Sequence, residues 1–147
     1  MRVRGEVDIL APVESVWTAL ADVASHYQWM ADAEMIIFTS EQRVGVGTTF
    51  DCRTRIGPFT TVDRMTVTVW DERRALGVAH SGVVSGSGVF QLIEVDPQRT
   101  RLTWTEDLRF PAKLGGFLTG AIAKPVLKRV WMGNLRRFGA QVERRYR

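Results

Sequence analysis

The stretch that decides the fold is LGGFLTGAIAKPVLKRVWMGNLRRFGAQVERR, residues 114–145. One stripe of it is mostly apolar at helical spacing and consists of Gly120, Leu127, Trp131, Asn134 and Phe138, flanked by Val130 and Val142. The other side carries Lys128, Arg129, Met132, Arg136 and Arg137. This pattern predicts a long amphipathic helix with a basic back. Each large apolar side chain that it buries contributes about 1.5–3 kcal/mol, so the helix must lie across another layer of structure.

The sequence before this helix predicts a strand, two short helices and then a run of antiparallel strands. Apolar and charged residues alternate over residues 3–9, as in a half-buried strand, and apolar residues recur at helical spacing after Pro12. Further strands are predicted over residues 35–38, 48–56, 59–70, 76–81, 89–93 and 101–110. Because strands and helices are segregated, we expect an α+β domain. Its curved sheet would grip the long helix and leave a cavity between them.

Composition bounds the class of protein. The chain has 147 residues, which suits one domain spanning residues 1–147, and its five tryptophans and seven phenylalanines can line a pocket as well as fill a core. The single cysteine, Cys52, excludes an intrachain disulfide and fits a reducing compartment. The N-terminal residues lack the apolar run of a signal peptide. No stretch approaches the roughly 20 apolar residues of a membrane span. These features predict a cytoplasmic protein with no integral membrane segment.

The formal charge of +4 is concentrated near the C-terminus. Between Lys124 and Arg147 there are eight basic residues and one acidic residue, Glu143. A solvated helix face explains this pattern, and contact with an anionic membrane or an acidic partner is the alternative. Nucleic acid is not an expected partner, because the sequence contains no helix-turn-helix or zinc-finger pattern and its aromatic residues are not interleaved with the basic ones.

Four groups of residues resemble one known superfamily. They are Ala11-Pro12 with Val16-Trp17, Leu20, Asp22, Tyr27 and Trp29; Gly45-Val46-Gly47-Thr48 with Phe50; residues 88–92 with residues 100–104; and residues 134–138 with Glu143. Together they resemble the START-related helix-grip (SRPBCC) superfamily, and within it the polyketide cyclase/dehydrase and lipid-transport-like branch. The resemblance implies a START-like ligand-binding domain. It would have a seven-stranded sheet around the C-terminal helix and a deep apolar cavity roofed by the two short helices.

One departure from that pattern is Pro125, inside the last helical segment. Proline removes a backbone donor and clashes with the preceding turn, so it should bend the helix or mark its true start. Since Gly115, Gly116 and Gly120 precede it, we expect the mouth of the cavity here.

Several kinds of chemistry find no support in the sequence. His26 and His80 belong to no ligand-spaced cluster, so we expect neither a metal nor another cofactor. His26 is expected at the surface or as a cap, and Cys52 is expected to be a buried, inert thiol. Serines occur without a GxSxG elbow. The glycine-rich residues 85–88 precede a strand rather than the helix that a phosphate-binding loop requires. No catalytic residue is assigned.

The candidate site consists of a few polar residues on predicted apolar faces. Glu106 shares a strand face with Trp104, Asn134 lies on the apolar helix stripe, and Asp63 is a weaker case on the face of Met65. Buried polar groups need partners, so these residues are either paired internally or orient a ligand in an apolar pocket. The predicted ligand-binding residues are Phe50, Met65, His80, Trp104, Glu106, Phe117, Trp131 and Asn134.

Three functions remain open at this level. The first is binding or transport of a small hydrophobic or aromatic ligand, lipid-like or polyketide-like, in the internal cavity. The second is a polyketide cyclase, aromatase or dehydratase, for which Glu106 and His80 are the candidate proton donors and acceptors. The third is a non-catalytic module that binds an anionic membrane or an acidic partner through the basic C-terminal helix. A homodimer is also possible.

Overall fold

The computed structural model describes the backbone of residues 1–112 and 117–147 and the side chains of residues 1–112 and 121–147. Its strands are β1 (Arg2–Ile9), β2 (Ala33–Phe38), β3 (Thr49–Ile56), β4 (Phe59–Asp71), β5 (Ala75–Ser81), β6 (Ser85–Asp96) and β7 (Arg99–Arg109). Its helices are α1 (Val13–Ala21), a 3₁₀ helix (Val23–Gln28) and α2 (Phe117–Tyr146). This order confirms the predicted one.

The strands form one seven-stranded antiparallel sheet in the order β1-β7-β6-β5-β4-β3-β2. From β2 to β7 each strand pairs with the next in sequence, and β1 joins the free edge of β7. Strand β6 begins at Ser85, so the glycine-rich residues 85–88 belong to the sheet, ahead of the predicted start at residue 89. The fold is the helix-grip fold that the sequence predicts.

Alternation along the strands decides which side chains face α2. The inner face is apolar over most of its area, and its buried members are Phe50, Cys52, Val67, Leu76, Phe90, Leu92, Leu102, Trp104 and Leu108. On the outer face, ion pairs such as Asp51 with Arg64 and Asp8 with Arg101 join neighbouring strands. The predicted parity of β3, β5 and β7 is confirmed. In β4, Met65 and Val67 share the inner face as predicted, but the same placement of Val69 is wrong, because a register shift after Val67 leaves Val69 exposed and turns Trp70 to the core.

Helix α2 packs mainly against β1. A Cβ atom at Gly5 would lie 3.0 Å from Leu135 Cδ1 and Met132 Sδ, and one at Gly139 would lie 3.3 Å from Ile9 Cγ1. Leu135 is fully buried although it was not placed on the apolar stripe, and the placement of Met132 on the basic side is wrong. The reason is that the helix buries a broad stripe against the sheet edge as well as the sheet face.

Two further predictions about α2 can be compared with its bounds. Pro125 lies inside the helix, so the interpretation that it marks the helix start is wrong. The predicted cavity mouth at residues 115–120 lies outside the residues whose side chains are described. Among the described residues, no helix is both long and apolar enough to span a membrane.

Aromatic rings fill the interior beneath the C-terminal half of α2. The ring centroids of Trp29 and Phe138 are 5.0 Å apart, and those of Phe90 and Trp104 are 4.8 Å apart in a stacked arrangement. Trp29 also contacts both Phe90 and Trp104 edge-on. Such pairs add about 0.5–1.5 kcal/mol beyond the burial of their surfaces. These rings therefore fill the inner face from Trp29 to Trp104.

Candidate functional site

A histidine and a glutamate form a hydrogen-bonded pair on the inner face of the sheet. His80 near the end of β5 places Nε2 3.1 Å from Oε2 of Glu106 on β7. The other carboxylate oxygen, Oε1, accepts a 3.0 Å hydrogen bond from Nε1 of Trp104. The side chains of His80 and Glu106 are 11% and 13% exposed. Three of the predicted ligand-binding residues are thus in direct contact, inside the fold but within reach of solvent.

The pair spans an intervening strand, and a glycine makes this possible. Strand β6 lies between β5 and β7, whose backbones are therefore about 10 Å apart. Gly88 of β6 is the register partner of Glu106. A Cβ at Gly88 would lie 2.3 Å from Glu106 Oε1, so any larger residue would displace the carboxylate. The absence of a side chain at this position lets the two long side chains meet above β6.

The surroundings of His80 favour its protonated form. Burial lowers the pKa of His80, but hydrogen bonding and charge attraction from Glu106, the Val84 backbone and the negative charge of Asp63 outweigh burial and raise it overall. An imidazolium that donates to Glu106 is therefore the state that the geometry supports. The pair combines an N–H donor with a carboxylate that is held in place by two hydrogen bonds.

Asp63 of β4 is the residue whose importance the sequence underestimated. It is 8% exposed, and its Oδ1 has no hydrogen-bond partner in the described part of the chain. Oδ2 accepts a 3.3 Å hydrogen bond from the Thr61 hydroxyl. Burial raises the pKa of Asp63, while Thr61 and the positive charge of His80 oppose this shift. The available signal in the sequence was that Asp63 shares a strand face with Met65. The sequence could not show that the Asp63 carboxylate lies against Gly82, where a Cβ atom would overlap Oδ1.

Aromatic and apolar side chains flank this polar group. The rings of Trp104 and Trp131 are 5.5 Å apart edge-on, so α2 contacts β7 beside the Glu106 carboxylate. Met65 is the register partner of His80 and, like Trp131, is only half-buried. Phe50 is buried, with its ring 6.0 Å from Phe38. The side chain of Phe117 lies outside the described residues, so its predicted role stays a prediction.

Asn134 is fully buried, and its amide joins α2 to the loop after the 3₁₀ helix. Its Oδ1 accepts a 2.9 Å hydrogen bond from the Ala31 backbone, and its Nδ2 donates a 2.8 Å hydrogen bond to Asp32 Oδ1. Arg137 donates to Asn134 Oδ1 and, over 3.0 Å, to the Trp29 carbonyl. These contacts give Asn134 a structural role, and its predicted contact with a ligand stays a prediction. They also tie Arg137, a member of the predicted basic face, to the fold.

Two other residues that could carry chemistry are held in inert states. Of the two expectations for His26, the surface position is wrong, because the residue is buried against Trp29. The capping role agrees with the structure, since its Nε2 lies 2.7 Å from the Leu20 carbonyl oxygen in the last turn of α1. Burial lowers its pKa to about 4, so it is neutral at physiological pH. Burial raises the pKa of the Cys52 thiol to about 11, which leaves it protonated and unreactive.

Two surface grooves occur among the described residues. One, of about 430 Å³, lies between α1 and the end of α2, and residues including Glu14, Asp22 and Arg145 line it. The other, of about 340 Å³, lies beside Tyr27 and Arg137. Neither contains a predicted ligand-binding residue. The predicted internal cavity beside His80 and Glu106 therefore stays a prediction.

Comparisons with known proteins agree with this architecture. The Zhui aromatase/cyclase from Streptomyces sp. R1128 has a similar structure with a TM-score of 0.80 at 19% identity, over 100% of this chain and 96% of that one. A conserved protein from Geobacillus kaustophilus gives 0.79 at 15% identity, over 100% and 98%. A START superfamily protein from Mycobacterium smegmatis gives 0.69 at 15% identity, over 99% and 96%. At these identities the likeness concerns the fold.

A comparison with curated protein sequences found no significant match. The family model described as polyketide cyclase / dehydrase and lipid transport matches residues 1–143. Its match includes every strand and nearly all of α2. The chain therefore belongs to the polyketide cyclase/dehydrase and lipid-transport family.

Proposed function

We propose that the protein binds a small hydrophobic or aromatic molecule, lipid-like or polyketide-like, at the inner face of the sheet beside His80 and Glu106. The observation that carries this proposal is a largely buried polar pair on a mostly apolar face. Ligand pockets commonly combine apolar walls with a few polar groups that fix orientation. Trp104, Trp131 and Met65 would supply the walls.

The gradient of burial along the inner face supports this location. Leu76 and Leu102, towards one end of β5 and β7, are fully buried, whereas His80 and Glu106, towards the other end, retain exposed surface. Met65 and Trp131 are also half-buried there. An apolar ligand placed against these residues would remove their remaining apolar surface from water, which favours binding by about 25 cal/mol per Å².

Native mass spectrometry with a panel of fatty acids, alkanols and aromatic polyketides tests the proposal. We expect at least one class to form a one-to-one complex that Trp131→Ala weakens and that Tyr27→Ala, at the surface groove, leaves unchanged. Absence of a complex across the panel contradicts the proposal. Equal weakening by Tyr27→Ala would place the ligand at the wrong face.

A cyclase or dehydratase activity is the second candidate, and the protonation state of His80 favours it. Closure of a β-keto chain and loss of water from the product both require a proton donor near a carbonyl or hydroxyl oxygen. His80 would supply the acidic N–H: its Nε2–H donates to Glu106 over 3.1 Å, and a substrate hydroxyl would replace Glu106 as the acceptor. Glu106 would remove a proton from the carbon next to the carbonyl, the protonated hydroxyl would leave as water, and transfer of the proton from Glu106 to His80 would restore the pair.

Incubation with a β-keto chain presented as a soluble thioester tests this activity. Mass spectrometry should detect a product that is lighter by the mass of water, at a rate above that of the buffer. His80→Gln should reduce the rate to the buffer level, while His26→Gln should not. A rate equal to that of buffer, or unaffected by His80→Gln, contradicts the enzymatic candidate and leaves ligand binding in place.

A further inference from the structure

Two hydrogen-bond donors of the polar cluster on β4, β5 and β7 already point at Glu106. His80 gives Nε2–H to Glu106, and the Val84 backbone also favours the protonated form of His80 by raising its pKa. The indole N–H of Trp104, its single donor, points at Glu106 Oε1. A ligand that needed donors from these side chains would have to break contacts that the protein already makes.

The acceptors of the same cluster are in excess. Asp63 Oδ1 has no partner in the described part of the chain although the residue is 8% exposed. Within the described residues, each carboxylate oxygen of Glu106 receives one donor, which leaves it a second lone pair. A buried acceptor without a partner costs free energy that a ligand donor would recover.

The charges of the cluster add to this asymmetry. Counting the described side chains alone, two carboxylates, Asp63 and Glu106, face one imidazolium at His80. A ligand carboxylate placed here would meet two like charges and would lose its own hydration. A hydroxyl group brings a donor without a charge.

We infer that the site selects hydrophobic ligands that carry a hydrogen-bond donor, such as a phenol, an enol or an aliphatic alcohol, and rejects ligands with an anionic head group. This inference rests on the proposed function and names the chemical class of its ligand. Asp63 is the specificity-determining residue, because its Oδ1 accepts the ligand hydroxyl proton. Fatty acids and other carboxylates are therefore poor ligands.

Calorimetric titration with matched naphthalene derivatives at neutral pH tests the inference. β-Naphthol carries a donor, its methyl ether has a similar shape without one, and β-naphthoate is anionic. We expect β-naphthol to bind about tenfold more tightly than the ether, since a hydrogen bond to a charged acceptor contributes about that factor. β-Naphthoate should bind more weakly than either. A naphthoate affinity equal to that of naphthol, or an ether affinity equal to it, overturns the inference while leaving the proposed function intact.

Two variants separate Asp63 from general effects on the fold. Asp63→Asn keeps the shape of the side chain and introduces donors. The ratio of the β-naphthol affinity to the methyl ether affinity should therefore fall from about ten towards one. Asp51→Asn removes an exposed carboxylate from β3 that pairs with Arg64, and it should leave the preference unchanged. An unchanged preference in Asp63→Asn overturns the role of this residue. Failure of all three compounds to bind the wild-type protein overturns the inference, and the native mass spectrometry panel then decides whether the proposed function stands.

Discussion

At the scale of single residues, the two histidines illustrate opposite uses of burial. His26 is surrounded by apolar rings and one carbonyl acceptor, so burial keeps it neutral. His80 is also largely buried, but Glu106 lies within hydrogen-bond distance and favours its charged form. Sequence position alone could not distinguish them, because the difference depends on which strand or helix lies opposite each ring.

The pKa of His80 should therefore depend on Glu106. Replacement of Glu106 by Gln removes the negative charge while keeping the size of the side chain, so the His80 pKa should fall below its wild-type value. NMR titration of the imidazole protons measures this change. Asp107→Asn is the matched control, because Asp107 is the next residue on β7 and faces outward towards Arg2. An unchanged His80 pKa in Glu106→Gln contradicts the assigned pair.

The two histidines should also give stability opposite pH dependences. The folded pKa of His26 is about 4, below its unfolded value of 6.5, so the folded state loses stability as pH falls between these values. The full effect is about 3 kcal/mol. The folded pKa of His80 is raised, so its contribution is present below the unfolded pKa and is lost as pH rises through the folded one.

Urea denaturation across a pH series measures both effects. His26→Gln should flatten the acid side of the free energy of unfolding, and His80→Gln should flatten the side above the unfolded histidine pKa. Identical curves for wild type and His26→Gln below pH 6.5 would contradict the buried neutral state of His26.

At the scale of elements, Asn134 fastens α2 to the loop between the 3₁₀ helix and β2. Replacement by alanine leaves the Ala31 N–H, Asp32 and Arg137 without their partner. We expect a loss of about 2 kcal/mol in the free energy of unfolding, measured with urea. Gln141→Ala is the control on the same helix: its hydrogen bond to Gln28 is exposed, so the change should be within about 0.5 kcal/mol. Equal effects of the two variants would contradict this role.

Strand β6 makes room for the His80–Glu106 pair at Gly88, which has no side chain. Gly88→Ala places a methyl group where Glu106 Oε1 lies, so the carboxylate must turn away from Trp104 or His80. The His80 pKa should fall, as it does in Glu106→Gln. Ser87→Ala, at the adjacent exposed position, should leave it unchanged. If Gly88→Ala retains the wild-type His80 pKa, the glycine is not what allows the pair to form.

The sequence predicted the strands and helices well, and for most strands it also predicted which side chains share a face. It predicted contacts between different strands and helices less well. Alternation along β7 placed Trp104 and Glu106 on one face because strand geometry has a period of two. It could not show that His80 crosses β6 to reach Glu106, since strand order and register are properties of the whole sheet. The width of the buried stripe of α2 was missed for the same reason. Strand β1 packs against Met132 and Leu135, which lie next to basic residues in the sequence.

At the scale of the whole molecule, the two ends of the inner face differ in composition: one is aromatic and tightly packed, and the other carries polar side chains. One end is filled by Trp29, Phe90 and Phe138, which hold the C-terminal half of α2. The other end carries Asp63, His80 and Glu106. The two carboxylates lie where Gly82 and Gly88 have no side chain. The proposed function therefore predicts that variants can change stability and ligand recognition separately.

The account depends on a ligand occupying the end of the inner face beside Glu106. Indole N–H NMR signals, followed during a titration with β-naphthol, report on this directly, because five tryptophans are distributed over the molecule. We predict saturable shifts for Trp104 and Trp131 and none for Trp17 and Trp70, which pack against each other elsewhere. No saturable shift at Trp104 and Trp131, or shifts confined to Trp17 and Trp70, would contradict the proposed site.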